Sequence, residues 1–208
     1  MTDNAKQVAA FVQRKLSILS HNADVSKVKA QLAKLRRGVG KPPGSQPELW
    51  EITLGELPEA LLSRSDRPTF GEIAIHTALT LYAVHQQGKD LSTHNMNRDE
   101  STLGVAARKL RDSDQSKADA IRRRFHAVAM ADSMEGLSWH LRGFVQLLRA
   151  SNIPLDYPRL TEDLFWFQFT DKRDGVRLKW GQDFYRTQKS ESQESKTTEE
   201  VKEIDSNE

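Results

Sequence analysis

Three consecutive arginines in "DAIRRRFHAV" (residues 119–128) form the longest run of permanent positive charge in the chain. A guanidinium is a planar, always-charged fork of donors, so its chemistry is recognition of phosphate or carboxylate groups rather than proton transfer. No acid follows Arg122, Arg123 or Arg124 one helical turn later. Two readings stand side by side. The arginines form either a solvated helix face with ordinary ion pairs, each worth about 0–1 kcal/mol, or a surface that holds a polyanion.

Other chemistries find little support. The loop "GVGK" (38–41) invites comparison with a phosphate-binding loop. That motif needs a glycine five residues before its Gly-Lys pair and a hydroxyl residue after it; here those positions hold Leu35 and Pro42. The six histidines (His21, His76, His85, His94, His126, His140) show no spacing that sets two ligands on one helix face. His76 and His85 fall in an apolar segment and read as core histidines. Asp156 and Asp163 read as cap acids, and no Ser-His-Asp or paired-carboxylate pattern stands out. Without cysteine, thiolate chemistry and disulfides are excluded. No catalytic residue, metal site or cofactor is expected.

The elements that must position the arginines are helices. Val8, Phe11, Val12, Leu16 and Leu19 predict a helix over 5–19. Val28, Leu32 and Leu35 predict a second over 25–37, stopped by Gly38. After the Gly/Pro loop 38–47 come short segments at 50–57 and 59–63. Thr69 and Glu72 form a capping box that opens an apolar helix running toward Gly88. Helices follow over 102–111, 115–131 and 133–150, the last capped by Asp132 and Glu135. Two aromatic-rich helices near 159–169 and 175–186 close the body, with Trp166, Phe167 and Trp180 read as core. No strand ladder is visible, so the expected fold class is all-α.

At about 100° per residue, Ala118, Ile121, Phe125 and Val128 share one face of the arginine helix, which turns Arg123 away from the core and sets Arg122 and Arg124 on its flanks. Arg142 and Arg149 stack seven apart on the next helix. Lys27 with Lys34, and Lys29 with Arg36, form stripes on the second helix. Cations spread over several helices suit a groove that follows a nucleic-acid backbone, without sequence preference, better than a single recognition helix.

The formal net charge of +2 conceals an asymmetry. From Lys189 onward there are seven acids against three lysines, a net −4, so residues 1–188 carry +6. The tail 189–208 lacks aromatics and is rich in Ser and Thr, a composition predicting disorder. No stretch approaches the roughly 18 apolar residues of a membrane span, so a cytoplasmic protein with no membrane contact is expected.

The order of "LAKLRRG" (32–38), "STLGVAARKLR" (101–111), "IRRRFHAVAMA" (121–131), "LSWHLRGFVQLLR" (137–149), "IPLDYPRLTEDLFWF" (153–167) and "VRLKWGQDFYR" (176–186) resembles the CasB family, the small subunit of the type I-E CRISPR Cascade complex. The resemblance spans roughly residues 5–187. It implies a non-catalytic protein of two packed helical lobes, here residues 1–112 and 113–188. It also implies a place in an antiviral assembly beside the large and backbone subunits and a second copy of itself. There the family holds guide RNA and target DNA and lines a path for the displaced strand. Carried over by motif, the nucleic-acid contacts would be Arg36, Arg37, Arg122, Arg123, Arg142, Lys172 and Arg173, with Arg108 at a less fixed place; Arg124 joins them from the helix face. About six engaged phosphates would weaken binding on the order of a thousandfold between about 50 and 200 mM salt. A helical scaffold for acidic proteins is the alternative, and a small regulator of duplex DNA is a third reading.

Overall fold

The computed structural model describes residues 2–186. The tail 189–208 that the sequence marks as disordered lies outside the described residues. Within them the fold is all-α: α1 (Thr2–His21), α2 (Val25–Arg37), a single turn α3 (Trp50–Thr53), α4 (Phe70–His85), α5 (Leu103–Ser113), α6 (Ala118–Ala129), α7 (Met134–Ala150), α8 (Tyr157–Phe167) and α9 (Thr170–Tyr185). The only β-type pairing among them is an isolated bridge between Asn97 and Leu155. No helix among the described residues is long and apolar enough to cross a membrane.

Helix α4 is the axis of the molecule. Its start is fixed by the capping box: Thr69 Oγ1 accepts from Glu72 N at 3.1 Å, and Thr69 N donates to Glu72 Oε2 at 2.7 Å. The helix is buried nearly all round because α1, α2, α7 and α8 pack against it. The expected boundary at residue 112 falls inside α5 and does not separate the packing. C-terminal α8 lies on N-terminal α1, and α9 lies on α5, so one continuous apolar core joins the two segments.

Local details refine the sequence expectation and in two places depart from it. Gly38 closes α2 as expected, in the ordinary right-handed region (φ −79°); a Cβ there would lie 2.5 Å from Leu49 Cδ1, so a larger residue would make that side chain shift. The segment 115–131 is divided into a 3₁₀ turn, Gln115–Lys117, and α6. Asp114 caps that turn by accepting from Ser116 N at 3.0 Å. Hydrogen bonds from Lys117 first, then Ser116, hold its carboxyl at about 2. Helix α7 is capped by Ser133, whose Oγ accepts from Gly136 N at 3.1 Å, and not by Asp132, which pairs with Arg177 at 3.2 Å.

Of the two acids read as caps, only Asp156 is one; it accepts from Arg159 N at the start of α8. Asp163 is buried between α8 and α9, where it accepts a 2.7 Å bond from Trp180 Nε1. Burial is the largest influence on its carboxyl and pushes it up to about 7, against the opposing pull of that bond and of Arg159. His85 is likewise a core residue. Its Nδ1 meets Tyr157 Oη at 3.0 Å, and burial pushes its imidazole down to about 3. Phe167 and Trp180 stack inside the core, while Trp166 is half-buried at its edge.

Candidate nucleic-acid interface

Helix α6 is pinned from beneath. Ile121, Phe125 and Val128 are buried, and the Phe125 ring stacks on Phe184 of α9 with centroids 4.6 Å apart and tilts against Phe144 of α7 at 5.9 Å. With that face fixed, helical geometry turns Arg122, Arg123 and Arg124 to solvent, and all three are exposed. Arg122 pairs with Asp119 at 3.1 Å, one turn before it. Among the described residues, no acid lies within ion-pair distance of Arg123 or Arg124.

The adjoining helix α7 buries Leu137, Leu141, Phe144, Val145 and Leu148. Its opposite side presents Arg142, exposed and also without an acid among the described residues. Arg124 and Arg142 line one open concavity of about 620 Å³ between the two helices, together with Trp139, His140, Gly143 and Gln146. Four of the expected contacts thus belong to one helix pair, and two of them, one from each helix, line the same groove.

The remaining candidates are placed elsewhere. Arg36 and Arg37 end α2, which packs on α4 while α6 packs on α5 and α7, so this pair does not share the groove. Arg37 faces Glu48 at 3.6 Å. Lys172 is exposed on α9 beside Asp171 at 3.2 Å. Arg173 is half-buried, donating to Phe167 O at 3.0 Å with its guanidinium 4.9 Å from the Phe167 ring. Arg108 is not a surface residue. It is 5 % exposed, and its Nη1 donates to Arg186 O at 2.6 Å, binding α5 to the end of α9.

Sequence reading passed over Trp139, the most prominent feature of the groove. The residue is 73 % exposed, and its ring meets His140 edge-on at 4.9 Å. The signal was present: Trp139 is about 160° from Leu137 and Leu141 around α7, so a helical wheel sets it on the polar side.

The chain is therefore an all-helical protein that displays unpaired guanidinium groups across one helix pair, with no group of three or more His, Asp or Glu among the described residues able to hold a metal. The family model for CRISPR-associated protein Cse2 matches residues 31–185. The crystal structure of CasB from Thermobifida fusca is 33% identical, covers 86% of this chain and 98% of its own, and superposes with a TM-score of 0.72. The crystal structure of M. ruber CasB is 26% identical over 89% of this chain and 98% of its own, TM-score 0.65. That of CasB from Thermus thermophilus, 23% identical over 84% of this chain and 97% of its own with a TM-score of 0.60, shares the fold. No curated protein matches the chain. The chain belongs to the Cse2 (CasB) family of CRISPR-associated proteins.

Proposed function

We propose that this chain is the non-catalytic small subunit of a type I-E Cascade complex, where its basic helix pair holds nucleic acid without reading sequence and stabilises the R-loop of guide RNA, target strand and displaced strand. The observation that carries the reading is the α6–α7 surface. In a Cse2-family chain, Arg122, Arg123, Arg124 and Arg142 are all exposed there, three of them without a partner acid among the described residues. In such complexes guide pairing supplies the sequence information, and protein contacts supply charge and shape complementarity. A second copy of the chain and the large and backbone subunits are the protein partners, and they raise the effective concentration of a weakly binding surface.

If each of the four arginines neutralises one phosphate, the logarithm of affinity for a single strand falls against the logarithm of salt with a slope of about −2.8, some 50-fold between about 50 and 200 mM. The double variant Arg122→Glu with Arg123→Glu is expected to keep its helical circular dichroism, because both side chains are exposed, and to halve that slope while weakening binding at every salt concentration. Binding of the folded double variant at the wild-type level and slope refutes the assignment. Retention of acidic polypeptide but not of nucleic acid favours the scaffold reading instead.

A further inference from the structure

We infer that the α6–α7 groove carries a base-stacking subsite, Trp139, which makes this surface select single-stranded over double-stranded nucleic acid. The inference rests on the nucleic-acid reading above and adds to it a particular side chain and a particular form of the ligand.

Trp139 is 73 % exposed, which leaves a large apolar ring in water. Here the exposure is built in. Trp139 projects from the side of α7 opposite Leu137, Leu141 and Leu148, so no rotation of the helix can bury it without exposing the core face. The ring flanks a concavity rather than a flat surface, with Arg142 one turn along on its own helix and Arg124 across the gap on α6. The floor is open at Gly143, where an added Cβ would meet nothing within 4 Å. Among the groove's lining residues there is no carboxylate; its polar groups are two guanidinium groups, an imidazole and the amide of Gln146.

Such a groove matches a nucleotide. Guanidinium groups on opposite walls meet the phosphates, and the aromatic face meets the base. Stacking is indifferent to base identity because every base has a π-face, as a sequence-independent clamp requires. It does depend on strandedness, since a base paired and stacked inside a duplex offers its edges and not its face. Helix rise sets Trp139 and Gln146 about 10 Å apart along the axis, so the groove takes a short stretch of strand. An acidic polypeptide could satisfy the arginines, but it would leave the indole face unused.

The test measures binding of the full chain to a fluorescein-labelled oligothymidylate and to a mixed-sequence duplex, by anisotropy across a salt series. Trp139→Ala is expected to weaken the single strand about 5- to 150-fold. The salt slope should stay as in wild type, because no charge is removed, and duplex affinity should stay within about twofold. Trp139→Phe should recover part of the loss. Gly143→Leu fills the groove from a position free of steric conflict and should weaken the single strand without touching the ring. Wild-type single-strand affinity in Trp139→Ala overturns the inference, and so does equal loss for strand and duplex. If the arginine double variant then still loses affinity, the proposed function stands without the stacking subsite. Loss of polyglutamate binding with oligothymidylate binding unchanged reassigns the groove to acidic protein. A wild-type chain that binds neither nucleic acid overturns both readings.

Discussion

Replacing Asp163 by Asn isolates the electrostatic cost of a buried charge. In the unfolded chain an aspartate titrates near 3.9; in the native protein burial holds Asp163 at about 7. The folded state therefore binds the proton more tightly. Below about pH 4 both states are protonated and the group contributes nothing. Between about 4 and 7 only the unfolded chain releases its proton, so stability falls as pH rises. Above 7 the full penalty applies, at most about 3 × 1.36, or roughly 4 kcal/mol. Asparagine keeps an oxygen to accept from Trp180 Nε1, which now donates at 2.7 Å, but has no charge to desolvate. The attraction of Arg159, whose Nε is 3.6 Å from Asp163, is already contained in that net penalty and returns nothing further from the gain. Relative to its difference from wild type near pH 4, the variant should thus gain up to about 4 kcal/mol by pH 8. Urea unfolding followed by far-ultraviolet circular dichroism at several pH values measures both curves, and groups that titrate alike in the two proteins cancel in the difference. A difference between variant and wild type that does not change from pH 4 to pH 8 refutes the reasoning.

Two further expectations concern how the helices are held. A Cβ on Gly104 would lie 2.3 Å from Trp180 O and 3.0 Å from Phe184 N, backbone atoms of α9 that cannot yield alone. Gly104→Ala should therefore cost about 3 kcal/mol or more, seen as a lowered urea midpoint. Thr69→Ala removes the oxygen that accepts from Glu72 N and donates at 2.7 Å to Leu61 O, so the start of α4 should lose about 1–2 kcal/mol. For a chain of this size that lowers Tm by about 2–8 °C in a calorimetric scan.

The parts of the fold legible in the sequence were those governed by neighbours along the chain. The period of Val28, Leu32 and Leu35 delimits α2 correctly, and the Thr69/Glu72 pair marks the start of α4 correctly. What stayed hidden depends on contacts between distant segments. Asp132 and Ser133 are both sound cap residues by type; Asp132 turns instead to Arg177, 45 positions away, and leaves the cap to Ser133. Asp163 has the type of a cap acid and becomes a core acceptor only because Trp180 arrives on α9. Within the candidate interface, periodicity alone turns Arg122, Arg123, Arg124 and Arg142 outward. It cannot show that Arg124 and Arg142 line one groove.

The same dependence explains why counting cations overstated the free charge of the body. Every helix ends with carbonyl oxygens that lack an intrahelical partner, and the helix dipole makes that end negative. Several arginines satisfy this need. Arg177 donates to Ala129 O and Ala131 O at the end of α6, both at 2.8 Å. Arg173 donates to Phe167 O at the end of α8, and Arg108 to Arg186 O at the end of α9. Arg177 and Arg173 also lie against the Phe167 ring, at 5.8 and 4.9 Å. A guanidinium held this way by several donors at once reaches no external phosphate without breaking the junction it closes. Substituting Arg108, Arg173 or Arg177 would thus lower stability and binding together. In the arginines of α6 and α7 the two effects separate, because no carbonyl or ring of the described fold engages Arg123, Arg124 or Arg142. The division between arginines that close helix ends and arginines that face solvent sets Arg108 and Arg173 apart from the other candidate contacts, four of which share the α6–α7 pair, where phosphate binding would cost the fold nothing.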